Sequence, residues 1–536
     1  MNLKQTIAHL VAKHLNSYPQ QEQLQILAGL SLIVDFKLEV DKSLSPICLD
    51  DFQSLLSKLN EKESRRRDEG VYYTPKDVTE YIVANAFLNW VNPDNSQVYS
   101  TEQCLSKIRG EKSFKIQRAR ICDPTCGTAE FLLSAIHLKL ASSSCLGDAY
   151  ILSIISTIFG NDIAQESILL SKIRLFFAIV SLLKDKTKVV ELARILNKNL
   201  TTFDFISTNK FRSKFDIVVG NPPYIEYSKL PIKPIVQFGN TYANVLKNSI
   251  ETLHTNGVIG FIIPISFVAT PRMKEIRDYS YSQLSKLFVL NFADRPDCLF
   301  DGVHQKLAIL LGQKGKNNCR VFSSSYYHWY SKERESLLDS TKVFRVFPKE
   351  TYIPKIGNQY EQSIFEKIVR SKGETLNSIS YSSVREGVSI YLNMRGCFWI
   401  KAFSFNPGSN EYKRFYCPAS LQPYLICLLN SNLFFLFWTV VSDCWHITSK
   451  ELSGFIIPID GINYECFRNL SDNLERRLEE TKKYVGSKQT TYEYKHKDCK
   501  KEIDNIDVAL QSIYHLTDEE ISFLRDYKVR YRTSNG

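Results

Sequence analysis

Apolar residues recur at three-to-four spacing near the start of the chain. Leu24, Ile26, Leu27, Leu30, Leu32 and Ile33 form one run, and Phe52, Leu55, Leu56 and Leu59 form a second. This spacing predicts amphipathic helices over residues 1–60. A charged stretch at 61–69, containing Arg65, Arg66 and Arg67, reads as a hinge or an exposed helix end. From about residue 70 to 315 the pattern changes. Short apolar runs end in Asp, Asn or Gly and lead into helix-like segments: 119–122 before Asp123, 158–160 before Asn161 and Asp162, and 215–219 before Gly220 and Asn221. Residues 258–264 and 287–292 are further strand candidates. Strands alternating with helices predict an α/β fold with a doubly wound, mostly parallel sheet. In such sheets ligands bind at the carboxyl ends of the strands.

Residues 316–465 are less regular. They mix short strands, aromatics and basic residues around one helical stretch at 421–439. Residues 466–536 are charged and helical, with a solvent-facing stretch at 475–483 and an amphipathic one at 503–514. Thr517 with Glu520 makes a capping-box signature before a helix at 521–527. The expected division is a small helical region at 1–66, an α/β domain at 67–315, an α+β domain at 316–465 and a helical tail at 466–536. A chain cut near residue 320 is then expected to keep its α/β core.

The 536 residues suit about three domains. Thirteen cysteines include no CxxC pair, which argues against a zinc ribbon or a disulfide framework and fits a reducing cytosol. No charged-then-apolar leader opens the chain, and no apolar stretch approaches the ~20 residues of a membrane span. A cytoplasmic protein without membrane contact is therefore expected. Of the net charge of +11, residues 1–220 hold 27 Lys+Arg against 24 Asp+Glu, and residues 221–536 hold 41 against 33. The basic C-terminal portion suits either a polyanionic partner or simply a solvated surface.

Four motifs carry the chemistry. The first is Asn221-Pro222-Pro223-Tyr224 at the end of an apolar strand. Two prolines stiffen the loop and withdraw two backbone donors. The Asn221 side-chain oxygen and the Pro222 carbonyl can then accept both N–H bonds of an exocyclic amine, and Tyr224 can stack on the attached ring. The second is the turn Asp123-Pro124-Thr125-Cys126-Gly127-Thr128-Ala129, whose glycine lets the backbone approach a nucleoside. It is neither a P-loop nor a GxGxxG fingerprint. The third is Gly160-Asn161-Asp162-Ile163, with an acid where a ribose diol is held, and the fourth is Asp204 after a third strand. Each Asp taken alone also fits a helix N-cap. No metal site is expected.

The order Gly70-Val71-Tyr72-Tyr73-Thr74-Pro75, Asp-Pro-x-Cys-Gly, Asn-Asp-Ile, Asn-Pro-Pro-Tyr resembles the γ-type N6-adenine DNA methyltransferases of bacterial restriction–modification systems, especially the Eco57I/TaqI-like group. The resemblance covers residues 65–315 and continues more weakly through Trp445-His446-Ile447-Thr448 and the C-terminal tail. It implies S-adenosylmethionine as cofactor and double-stranded DNA as partner. It also implies that 67–315 is the catalytic domain and 316–465 a DNA target-recognition domain, and it makes a separately encoded restriction endonuclease a candidate partner. Tyr73, Thr74 and Pro75 would contact the methionine part, and Asp123, Thr125 and Gly127 would form the cofactor turn. Asp162 would hold the ribose and Asp204 the cofactor adenine. Asn221, Pro222 and Tyr224 would grip the target adenine, with Phe300 as the second aromatic against the flipped base. Ala129 departs from the family, which has a second glycine there. If that position needs φ > 0, alanine weakens the cofactor turn.

Adenine N6 is a poor nucleophile because its lone pair is delocalised. Accepting both N–H bonds frees that lone pair, and displacement at an activated methyl then needs positioning more than a strong base. The base must leave the duplex to be reached. An alternative is a protein glutamine or RNA methyltransferase, since the same grip suits any planar amide or amine. The long C-terminal portion favours a reader of duplex sequence. Candidate DNA contacts lie at 385–395 and 445–450, whereas Trp438 reads as core. A fused nuclease lacks room before the first motif, and a bare specificity subunit needs no cofactor turn.

Overall fold

The computed structural model describes residues 2–59, 74–143, 147–207, 211, 214–230, 233–300, 302–316, 318–380, 387–486 and 490–533. Tyr73, the arginines at 65–67 and Arg385 lie outside the described residues. The apolar runs of the central region become the strands β1 (Ile121–Asp123), β2 (Ile158–Asp162), β3 (Leu200–Thr202), β4 (Phe215–Gly220), β5 (Leu253–Pro264) and β6 (Leu284–Phe292). They are joined by β7 (Leu307–Lys314), β8 (Arg320–Tyr327) and β9 (Phe344–Val346) in one nine-stranded sheet of order β3-β2-β1-β4-β5-β7-β6-β8-β9. β1 to β5 pair in parallel, while β7 runs antiparallel to both β5 and β6. The strand order reverses between β1 and β4, so their carboxyl ends open a crevice. The fold is the expected doubly wound, mostly parallel α/β sheet.

Strands read as near-continuous Val/Ile/Leu runs because helices cover the sheet. The helix Lys76–Val91 packs on β4, β5 and β7, and Gln165–Val180 packs on β2 and β3. The helix Leu49–Leu59 rests on Gln165–Val180, where Gln53 Nε2 donates to the Arg174 carbonyl at 2.8 Å. Two N-terminal helices, Leu3–Leu15 and Gln20–Leu30, complete this side, as their periodicity predicts.

The sheet continues past residue 315, where the sequence places a domain boundary. β8 pairs in parallel with β6 from Lys286↔Arg320 to Phe292↔Tyr327. β9 then pairs with β8. The polar character of β8 hides it from a hydrophobic pattern. Ser323 and Ser324 are fully buried, and Asn291 satisfies them: its N–H donates to Ser324 Oγ at 2.8 Å and its Nδ2 donates to the Ser324 carbonyl at 2.9 Å.

Beyond β9 the expected single helix at 421–439 is two, Gln422–Asn430 and Asn432–Val441, bent by 61°. Ser431 makes the break by capping the second helix, its Oγ accepting the Phe434 N–H at 3.0 Å. Among the described residues no single helix is long and apolar enough to cross a membrane. The Thr517–Glu520 capping box forms as read, and Trp438 is buried in the core. Near the C-terminus, Arg532 lies between the rings of Trp399 and Phe435, at 3.8 and 4.0 Å.

Candidate functional site

Three strand ends are tied together by one side chain. Asn161, buried at the tip of β2, donates from Nδ2 to the carbonyls of Pro124 and Phe203, each at 3.0 Å. Its Oδ1 accepts the Phe203 N–H at 3.0 Å. The turn after β1, the tip of β2 and the segment after β3 therefore share one amide. Sequence reasoning read Asn161 only as part of a motif. The signal for its role was an amide side chain among apolar strand residues, where burial demands partners.

The turn after β1 is held from both sides. Thr125 N–H donates to Asp123 Oδ1 at 3.0 Å, and Cys126 N–H donates to the Asn161 carbonyl at 2.7 Å. Gly127, at φ +52, donates its N–H to Asp162 Oδ2 at 3.0 Å, while Asp162 Oδ1 accepts from Ala164 N–H at 2.9 Å. Burial pushes the Asp123 carboxyl well above the usual carboxylate range; the Thr125 N–H opposes this and the Asp162 charge adds to it. Thr125 Oγ1 is buried with no hydrogen-bond partner among the described residues. An unmet buried hydroxyl is costly. Asp204 lies at the edge of the same group, accepting the N–H groups of Ile206 and Ser207 at 2.9 and 3.2 Å. Ile163, next to Asp162, is a large apolar side chain that is 68% exposed.

Ala129 does take the left-handed conformation, at φ 74 and ψ 28, and caps the helix Glu130–Ala141. The turn forms around it, with Ala129 N–H donating to the Cys126 carbonyl at 2.8 Å. Alanine in this region costs about 1–2 kcal/mol. Glycine would remove that strain but lose a buried methyl group, worth about 0.8 kcal/mol, and would add unfolded-state entropy. Ala129→Gly is therefore expected to change stability by less than about 1 kcal/mol. A β-branched side chain is much less tolerant of this conformation, so Ala129→Val should lose more than about 2 kcal/mol. Denaturant unfolding of both variants checks the contrast.

Gly220 joins the turn after β1 to the loop after β4. A Cβ at this position would lie 2.7 Å from Asp123 Oδ1, so only glycine lets the two strand ends approach. Asn221 follows, and its Nδ2 donates to Thr74 Oγ1 at 3.1 Å. Thr74 is buried beside Pro75, which starts the helix Lys76–Val91. Pro222 is buried. Thr241 clamps the loop: its Oγ1 donates to the Pro223 carbonyl at 2.6 Å and accepts the Ile225 N–H at 2.9 Å.

The Tyr224 hydroxyl lies within reach of Asn221 Oδ1 and of the Ile262 carbonyl, the latter at 2.9 Å. Its single proton can serve one at a time. The ring meets Tyr242 edge-on, with centroids 6.3 Å apart. The structure thus gathers Thr74, Pro75, Asp123, Thr125, Gly127, Asp162, Asp204, Asn221, Pro222 and Tyr224 along the carboxyl ends of β1 to β4. Tyr224 also borders a cavity of about 540 Å³, which Lys306 and Trp445 line as well. Phe300 is not on that cavity. It is 2% exposed and lines a different one, of about 680 Å³, with Pro75 and Val303. Lys450, in the segment expected to reach DNA, instead donates to the carbonyls of Ala269 and Val441, both at 2.7 Å.

Residues 156–295 match the model of the family described as Eco57I restriction-modification methylase. This stretch covers β2 to β6 and the Asn221–Tyr224 loop. The type II methyltransferase M.VspI of Vibrio sp. (strain 343) is 25% identical over 225 residues, which are 40% of this chain and 42% of that protein. The type II restriction enzyme and methyltransferase RM.Eco57I of Escherichia coli is 24% identical over 212 residues, 35% of this chain and 20% of its own. The chain thus aligns with less than half the length of these curated relatives. Among solved structures, the type IIL restriction-modification enzyme MmeI in complex with DNA superposes over 92% of this chain and 83% of that chain, with a TM-score of 0.52 at 11% identity. That is a likeness of fold. The resemblance read from the motifs to the Eco57I-type group holds.

Proposed function

We propose that this chain, whose residues 156–295 carry the Eco57I-type methylase pattern, is a DNA methyltransferase that moves a methyl group from S-adenosylmethionine to N6 of an adenine swung out of the duplex. The observation that carries the reading is the hydrogen bond from Asn221 to Thr74 beside the Asp123–Gly220 approach. These contacts set the Asn221–Tyr224 loop against the Asp123–Ala129 turn, the arrangement that an amine grip beside a nucleoside site would need. S-adenosylmethionine supplies a methyl on a sulfonium, a leaving group already activated. The chain's own residues would hold it in a place that fits: Thr125 has a buried hydroxyl to satisfy, Gly127 offers bare backbone, Asp162 and Asp204 accept from hydroxyls and an amino group, and Ile163 covers a ring face.

Asn221 Oδ1 and the Pro222 carbonyl would accept the two N–H bonds of the target amine. Both acceptors draw the amine toward a tetrahedral arrangement, which frees the nitrogen lone pair from the ring system. For Asn221 Oδ1 to do so, the Tyr224 hydroxyl turns its hydrogen bond to the Ile262 carbonyl, which is already within reach. The tyrosine ring is then placed to stack on the base. A restriction endonuclease reading the same sequence is the partner this activity implies.

Methylation-sensitive single-molecule sequencing of DNA from cells producing the chain tests the proposal. N6-methyladenine within one sequence motif is the expected result. Methyl groups found only on RNA or on protein glutamine overturn it. The cofactor assignment has its own check, because a ligand that binds the folded state raises its melting temperature. Asp162→Ala should reduce the shift produced by S-adenosylmethionine by more than half. It removes the acceptor of the Gly127 N–H as well as that of the ribose. An unchanged shift takes Asp162 out of the site.

A further inference from the structure

We propose that Trp445, and not Phe300, is the aromatic that faces Tyr224 across the cavity receiving the extrahelical nucleotide, and that it stacks on the target base. The inference rests on the function proposed above and adds a residue to it. Trp445 and Tyr224 line the same cavity of about 540 Å³, a volume in the range of small-molecule sites and ample for a nucleotide. Phe300 is buried and lines the separate cavity beside Pro75.

The turn that carries Trp445 is built to present it. Cys444, immediately before it, sits at φ +58, a conformation that a non-glycine residue adopts only when its surroundings enforce it. The enforcement is explicit. Cys444 N–H donates to Ser442 Oγ at 2.9 Å. Asp443 Oδ1 accepts the N–H groups of Trp445 and His446 at 2.9 and 2.8 Å, and its Oδ2 pairs with His446 Nδ1 at 2.8 Å. The Trp445 carbonyl accepts from Gly396 N–H at 2.9 Å, and the His446 carbonyl accepts from Trp438 Nε1 at 2.9 Å. Every one of these bonds fixes backbone or a neighbour and leaves the indole facing the cavity.

Lys306 steadies that indole from the α/β side. It stands just before β7, its ammonium lies 4.5 Å from the centre of the Trp445 ring, and it pairs with Asp294 at 3.2 Å. A cation held over an aromatic face in a partly buried place positions the ring. A core tryptophan needs none of this: Trp438 is 1% exposed, whereas Trp445 is only half-buried and borders open space. Stacking of a base on an aromatic side chain is tolerant of sequence and suits a pocket that must hold one base after extrusion.

The test uses the full-length protein and a duplex with 2-aminopurine at the methylated position found by sequencing. With the wild type, the extruded probe is partly quenched by stacking. Trp445→Ala and Trp445→Leu should both brighten the bound probe and raise KM for DNA roughly 10- to 100-fold, while the thermal shift by S-adenosylmethionine stays unchanged. Leucine keeps apolar bulk without a stacking face, so it separates stacking from packing. Trp445→Phe should restore most of the quenching, and Phe300→Ala should leave it as in the wild type. Unchanged probe emission in both Trp445 variants overturns the inference, as does brightening by Phe300→Ala. A wild-type protein that methylates no DNA fails the function proposed above, a result distinct from either of these.

Discussion

Asn221→Ala is expected to slow methyl transfer to DNA by about 10²–10³-fold, the size typical of losing one fixed polar contact to a reacting group. S-adenosylmethionine should still raise the melting temperature of the variant. The reason lies in the division of labour along the strand ends. Asn221 touches Thr74 and Tyr224, while the turn of Thr125 and Gly127 is held by Asp123, Asn161 and Asp162. Loss of the amide therefore removes the proposed acceptor for the target amine and leaves the turn after β1 standing. Asn221→Asp keeps an acceptor in the same place and should retain part of the rate. Single-turnover transfer of a labelled methyl group measures both. Near-wild-type transfer by Asn221→Ala would remove the loop from the chemistry.

Cutting the chain near residue 320 should abolish cooperative folding. The sequence alone led to the opposite expectation, of a core that survives this cut. The cut removes β8 and β9 and leaves the edge of β6 unpaired over its whole contact with β8. It also removes the buried Val321, Phe322, Tyr326, Trp329 and Val346. At about 1.5–3 kcal/mol for each large apolar side chain, that loss alone rivals the 5–15 kcal/mol by which a domain is stable. Two ties crossing the cut go with them: Arg277 Nη2 donates to the Thr351 carbonyl, and Ile353 N–H to the Val268 carbonyl, both at 2.8 Å. The expected product is insoluble or lacks a thermal transition. A soluble fragment that binds S-adenosylmethionine would refute this.

The strands that bear the site were legible because their apolar runs end abruptly in Asp, Asn or Gly. Those endings are where the backbone turns and where a ligand can reach it, so β1, β2 and β4 were found together with the candidate residues at their ends. β8 was not, since Ser323 and Ser324 satisfy one another's environment through Asn291 and present no hydrophobic period. The bend at Ser431 was hidden for a related reason: the apolar pattern runs through it, and only a hydroxyl bonded three residues on reveals it. The positive φ of Ala129 could be posed as a question from the sequence, and the backbone answers it. Phe300 marks the limit. A motif fixes its place along the chain, but the packing of the turn decides which cavity its ring enters.

The unbroken run of strands from β3 to β9 has a practical consequence. Asn221 stands at one place on a stiff plate, and the chain leading to Trp445 departs from the same plate a few strands away. A hinge between two bodies would let the proposed reading surface around Trp445 wander relative to Asn221. Here the two are gauged against each other like marks on one ruler. Under the proposed function, the offset between a recognised base and the modified one is then fixed by geometry. On the same proposal, grafting a foreign reading domain onto such a chain would require matching the plate strand for strand.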